Sequence, residues 1–224
     1  MCGIVCALSD QPVLPLLIEG LKRLEYRGYD SAGVALLGEQ GFQRTRSVGR
    51  IADLEAALGA DTNSSSSVGI AHTRWATHGA PTRNNAHPHL TSGKLAIVHN
   101  GIIENHQELR EELIEAGYTF ESETDTEVIL HEVDRFYRQS ADLYQAVRAT
   151  VKRLKGAYAI GLISSDEPRR IVGARSGSPM VVGLGEDGNY IASDMMALLS
   201  VTRNFYIIDD DELVDISDTG VRIT

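Results

Sequence analysis

MCGIVCALSD, residues 1–10, begins the chain, and its reading decides the rest. Residues 2–8 are short and mostly apolar, which is the pattern of a strand buried on both faces. On such a strand Cys2 and Cys6 point to the same face, with Cα atoms about 13 Å apart at ~3.3 Å per residue. A disulfide needs roughly 4.4–6.8 Å, so the only two cysteines in the chain are not expected to bond to each other. Two unbridged thiols fit a reducing compartment, and a cytoplasmic location is expected. The stretch has no basic leader segment and carries Asp10, so it does not read as a secretory signal.

Outward from this strand, Pro12–Leu24 carries Val13, Leu16, Leu17, Leu21 and Leu24 at helical spacing. Residues 31–37 and 42–46 read as strands around a glycine-containing turn, and residues 51–58 as a short helix. The polar tract DTNSSSS, 61–67, reads as a loop. A strand at 68–73 runs into RWATHGAPTRNNAHPH, 74–89, which has no period and reads as a long loop; long loops inside compact domains are usually functional. A strand at 95–99 is expected to end at Asn100-Gly101. Helices follow near 106–116, 125–138 and 141–154. From Ala157 the chain returns to short strands with glycine-rich turns. A helical block between two β-rich ends suits layered sheets covered by helices.

Composition narrows the function. The 224 residues carry 21 Lys+Arg against 31 Asp+Glu, a formal charge of −10. An acidic chain without a long basic run is a poor binder of nucleic acid or membrane surfaces, and no apolar stretch approaches the roughly 20 residues that span a bilayer. The histidines invite a metal reading, but His72, His78, His87 and His89 match no common zinc frame and there is no C-x₂-C pair; no metal or cofactor is expected.

Cys2 sits where removal of Met1 would leave a thiol and a free α-amine on one residue. Their ordinary pKa values, near ~8.5 and ~7.7–8.0, suit proton transfer near neutral pH. If Met1 stays attached, that amine is an amide and the base is lost. The competing reading makes Cys2 a small apolar residue opening a core strand.

Five segments then occur in order: MCGIV (1–5), EYRGYDSAG (25–33), AHTRWATHG (71–79), HNGIIENH (99–106) and ETDTEV (123–128). Together they resemble the class II glutamine amidotransferases, which are N-terminal-nucleophile hydrolases, over nearly the whole chain. Within that class the resemblance is closest to the glutaminase domains of the amino-sugar-forming synthases. It implies an α+β fold, a four-layer αββα sandwich of mainly antiparallel sheets, with residues 1–224 forming one glutaminase domain. It also implies hydrolysis of L-glutamine to L-glutamate and ammonia through a Cys2 thioester.

By the same resemblance, the Asn100 amide and the Gly101 N–H form the oxyanion hole, Arg74 clamps the substrate carboxylate and Asp125 holds its ammonium. Thr77, His78 and Gly79 belong to the loop that closes on glutamine, Trp75 gates the ammonia, and Arg27 and Gly28 help position the N-terminal residue. Each position also has a plainer reading: Asn100-Gly101 a tight turn, Arg74 a solvated charge, Asp125 a helix N-cap, Trp75 an aromatic packing the loop, and Arg27-Gly28 a structural turn. His87 is read as structural or loop-associated. Cys6 departs from the family's usual glycine and is given no catalytic role. The sugar-phosphate isomerase region that follows in the full synthases is not in this sequence, so glutamine hydrolysis is expected of the chain and amino-sugar synthesis is not. Glutaminase domains of other class II enzymes and a catalytically silent glutamine-binding domain are the alternatives; RGYDSAG and RWATHG weigh against the first, and Cys2, Arg74, Asn100 and Asp125 together against the second.

Overall fold

The computed structural model describes residues 2–59, 65–75 and 79–224. One sheet holds β1 (Gly3–Ser9), β2 (Ser31–Gly38), β3 (Gly41–Val48), β4 (Val68–Arg74), β9 (Val181–Leu184), β10 (Gly188–Ala192) and β11 (Asn204–Ile207), in the order β11-β9-β10-β1-β4-β2-β3. The other holds β5 (His89–Thr91), β6 (Leu95–Ile103), β7 (Gly156–Ser164), β8 (Arg170–Ser176), β12 (Leu213–Ser217) and β13 (Gly220–Ile223), in the order β13-β12-β8-β7-β6-β5. The ladders within both sheets are antiparallel.

Three apolar layers hold four structural layers together. Ile4, Cys6 and Leu8 of β1 and Val68 and Ile70 of β4 meet Ala96 and Val98 of β6 and Ala159 and Ile163 of β7 between the sheets. The opposite faces of β1, β2 and β4 receive α1 (Leu14–Leu24) and α2 (Ile51–Ala57). In α1, Leu17, Leu21 and Leu24 lie on the buried face at i, i+4 and i+7, each contributing roughly 1.5–3 kcal/mol by leaving water. The outer face of the second sheet receives α4 (Asp125–Ser140) and α5 (Leu143–Val151), while α3 (His106–Glu115) packs on α4 through Leu109, Leu113 and Val128. This is the αββα sandwich the resemblance implies. No helix among the described residues is long and apolar enough to cross a membrane.

The start of α4 is held firmly, which matters for Asp125. The Thr124 hydroxyl accepts the Glu127 N–H at 3.4 Å. The Glu127 carboxylate in turn accepts from Glu121 N–H at 2.8 Å, Ser122 N–H at 2.7 Å and the Ser122 hydroxyl at 2.6 Å. Burial works against that charge, but His131 and these donors outweigh it and hold the carboxyl down to about 2.

Two expectations need correction. Asn100-Gly101 does not end a strand: β6 runs on to Ile103, with Asn100 opposite Ala159 and Gly101 opposite Tyr158 on β7. The tight-turn reading therefore fails. The N-cap of α4 is Thr124 and not Asp125, so the capping reading of Asp125 fails as well. The short strands β5 and β13 were not expected from the sequence: three residues beside a long loop, and four within a polar terminus, are too few to show alternation.

Candidate active site

Strand parity builds the site. Cys2, Ile4, Cys6 and Leu8 share one face of the first strand; Val68, Ile70, His72 and Arg74 share one face of β4; Ala96, Val98 and Asn100 share one face of β6. The apolar members of all three rows form the core between the sheets. At one end the rows turn polar at Cys2, at His72 and Arg74, and at Asn100; beside them Cys2, Arg74, Trp75, His87, His99, Gly101, Thr124, Asp125 and Thr126 line a single cleft, to which β6 contributes His99 and Gly101, the neighbours of Asn100. The cleft holds about 20 Å³, close to the room one water needs.

The Cys2 thiol sits against the residue that follows β4. Trp75 N–H donates to Cys2 Sγ at 3.1 Å, and the thiol faces the Trp75 carbonyl at 3.5 Å. Burial pushes the Cys2 thiol up from its ordinary value; the Trp75 N–H and Arg74 act the other way, and Asp30 adds to the rise. A protonated thiol at neutral pH needs a base before it can attack. Asn100 Nδ2 donates to the Cys2 carbonyl at 3.0 Å, so an amide on one sheet reaches Cys2, just before β1, on the other. At Gly101 the backbone has φ 134°, and a Cβ would lie 2.0 Å from the Ala157 oxygen. Only glycine fits this point of β6.

Arg74 is 3% exposed, which removes the solvated-charge reading. Its guanidinium donates to the carbonyls of Gly79 and Ala80 at 3.2 Å each and lies 3.9 Å from the Asp30 carboxylate. Asn85 and Glu123 latch that loop to the approach of α4: Asn85 Nδ2 donates to Ala80 O and to Glu123 Oε2, both at 3.0 Å, and Glu123 N–H returns to Asn85 Oδ1 at 3.0 Å. Asp125 Oδ2 accepts the Ile103 N–H at 2.9 Å, and its other oxygen lies 4.0 Å from His99 Nδ1.

Arg27 pairs with Asp194 at 2.7 Å and with the Tyr26 hydroxyl at 3.2 Å, outside the residues that line the cleft. Gly28 makes room for Trp75: a Cβ there would meet the Trp75 Cβ at 2.8 Å. Trp75 itself is 58% exposed at the mouth. Thr77, His78 and Met1 lie outside the described residues. Cys6 is buried between the sheets, and burial pushes its thiol far up.

At the cleft wall and behind it lies a cluster of histidines whose mutual packing sequence reasoning did not anticipate. The His72 and His87 rings stack with centroids 4.1 Å apart, and His89 meets His87 edge-on at 4.8 Å. The Thr126 hydroxyl lies between His87 Nε2 at 2.8 Å and His99 Nδ1 at 2.9 Å. The same period-two parity that carries Arg74 inward also carries His72, and that signal was available in VGIAHTR. Asp194, the partner of Arg27, lies 167 residues away with nothing in the sequence to join them.

A thiol at the end of a strand in an αββα sandwich, faced by an amide from the second sheet, defines the class: an N-terminal-nucleophile amidotransferase fold. Solved structures agree. A glutamine phosphoribosylpyrophosphate amidotransferase from B. subtilis superposes with TM-score 0.85 at 23% identity, over 100% of this chain and 49% of that one. A glutamine aminotransferase class-II domain protein from Silicibacter pomeroyi gives TM-score 0.68 at 15% identity, over 100% of this chain and 98% of that one. Residues 72–200 match the glutamine amidotransferase domain family, and the chain belongs to it. It is similar to the glutamine–fructose-6-phosphate aminotransferases (isomerizing) of Pseudomonas putida and Pseudomonas aeruginosa, 54% identical over 100% of this chain in each case. The same enzyme of Bordetella pertussis is 54% identical over 96% of the chain. The chain spans 36% of the length of each of these relatives.

Proposed function

We propose that residues 1–224 act as one glutaminase domain that cleaves the side-chain amide of L-glutamine at Cys2. With Met1 removed, the Cys2 α-amine takes the thiol proton as Sγ bonds to the amide carbon. The carbonyl oxygen becomes an oxyanion facing the Asn100 amide and the Gly101 N–H. The C–N bond then breaks, the leaving nitrogen takes a proton from the ammonium, and ammonia departs from a γ-glutamyl thioester. Water, deprotonated by the same amine, releases L-glutamate and restores the thiol. Arg74 and Asp125 hold the carboxylate and the ammonium of the substrate, Gly79 belongs to the loop that closes on it, and Trp75 gates the ammonia. The observation that carries this reading is the Asn100 Nδ2 contact with the carbonyl of Cys2, the residue that lines one cleft together with Arg74, Gly101 and Asp125. In a longer chain like the relatives, the ammonia passes to a C-terminal sugar-phosphate isomerase domain and converts fructose 6-phosphate to glucosamine 6-phosphate. The two free thiols support a cytoplasmic location.

Labelling with 6-diazo-5-oxo-L-norleucine, followed by peptide mapping, tests the nucleophile. The adduct is expected on Cys2, with N-terminal sequencing reading Cys first. An adduct chiefly on the buried Cys6, or hydrolysis by protein that retains Met1, would overturn the assignment.

A further inference from the structure

We infer that His72 is a positioning residue that sets which way round the Asn100 amide sits, so that its nitrogen and not its oxygen serves the oxyanion hole. The inference rests on the reading of Asn100 as the oxyanion donor.

The argument begins at an atom that has no choice. His72 Nε2 lies 2.9 Å from the carbonyl oxygen of His99. A carbonyl only accepts, so Nε2 carries the hydrogen. The same N–H is 3.0 Å from the Asn100 side chain, and the atom it meets must be an acceptor, so it is Oδ1. Nδ2 is thereby turned toward Cys2, where it donates to the carbonyl at 3.0 Å. An amide nitrogen has two hydrogens, and one is left for the developing oxyanion. The flipped form would set Nδ2 against the His72 N–H and Oδ1 against the Cys2 carbonyl, and it points a lone pair at the oxyanion; without the His72 N–H only the Cys2 carbonyl is left to hold the amide the right way round.

The surroundings hold His72 in that role. It is fully buried, its Nδ1 has no hydrogen-bond partner among the described residues, and its ring is stacked on His87. Burial, foremost, keeps the ring neutral, pulling its pKa down to about 3 against the two acceptors that would raise it. The charged groups and rings that face it are Arg74, His87 and His99. His72 also stands on β4 of the first sheet while Asn100 stands on β6 of the second, so the bond fixes amide and nucleophile across the gap between sheets.

A double-mutant cycle on glutaminase activity tests this. Asn100→Ala is expected to lower kcat by ~10²-fold or more. His72→Leu is expected to lower kcat between about tenfold and that limit with little change in KM, and His72→Gln, which restores an N–H donor, to recover part of it. The double variant His72→Leu/Asn100→Ala is expected to match Asn100→Ala alone. Additive losses, or a His72→Leu protein with full kcat, overturn the role of His72. A normal kcat for Asn100→Ala instead overturns the oxyanion reading itself. Nitrogen-15 spectra of histidine-labelled wild-type protein make the test independent of whether a variant folds: Nε2-protonated, neutral His72 from about pH 6 to 8 is expected, and an Nδ1-protonated or titrating His72 overturns the inference.

Discussion

Asn100 carries two duties that a substitution separates. Its Nδ2 bond to the Cys2 carbonyl is a ground-state contact, worth about 0.5–1.5 kcal/mol net. In the proposed mechanism its second N–H faces a neutral carbonyl before reaction and a full negative charge during it, where a donor is worth several kcal/mol. The large kcat loss expected of Asn100→Ala therefore comes with a small change in melting temperature, measured on the same preparation. Arg74 and Asp125 are expected to behave differently because, in the proposed mechanism, they hold parts of glutamine that do not react. Arg74→Lys and Asp125→Asn are expected to raise KM more than they lower kcat in steady-state assays; Lys cannot reproduce the two-pronged grip of a guanidinium. Wild-type KM in both variants would misplace the clamp.

At the scale of elements, β6 is where chemistry and folding compete for the same positions. A methyl at Gly101 would lie 2.0 Å from the Ala157 oxygen on β7, at a φ of 134°. Gly101→Ala is thus expected to cost stability, about 1–3 kcal/mol or more, in urea unfolding, beyond any effect on turnover. Gly59→Ala, with open space around it, is expected to stay within about 0.5 kcal/mol of the parent. How far these elements could be read from sequence follows from their length and period. Helix α1 and strands β1, β2 and β4 announce themselves by spacing, and the five segments around Cys2, Arg74, Asn100 and Asp125 carry enough resemblance to bring those four to one cleft before any coordinates. The extension of β6 through Asn100-Gly101 was hidden because Asn-Gly is the strongest local turn signal, and pairing with nine residues of β7 overrides it. The Asn85–Glu123 latch spans 38 residues and the Arg27–Asp194 pair 167. Neither has a local signature, since each is made by the fold bringing together loops that share no period.

For the whole molecule, the buried histidines set an acid limit. Burial, chiefly, lowers His72 and His89 to about 3 and His87 well below its ordinary value. In the unfolded chain each would take a proton near pH ~6.5. The unfolded state therefore binds more protons than the folded one between about pH 6.5 and 3, and stability falls as pH falls through that window. Each such group steepens the loss by up to about 1.4 kcal/mol per pH unit. Glu127, held at about 2 in the fold, adds to the loss only below its unfolded value near ~4.3. Urea titrations at stepped pH are expected to show the decline beginning near pH ~6.5, and His89→Gln to make it shallower. A stability profile flat down to pH ~5 would mean that these rings are solvated or paired in the native state.

The division of the cleft between two sheets has a consequence for how such a protein can change over evolutionary time. The Cys2 thiol rides on one slab and the Asn100 amide on the other, so in the proposed mechanism the gap between slabs works as a gauge whose setting is the catalytic distance. Ala96 and Ala159, small residues filling that gap, are spacers in this sense. A lineage that swaps one for a bulkier neighbour would detune the reaction from well inside the core, even if the protein folded as before. On the proposed mechanism, selection on turnover would thus reach positions that never meet glutamine, such as Ala96 and Ala159.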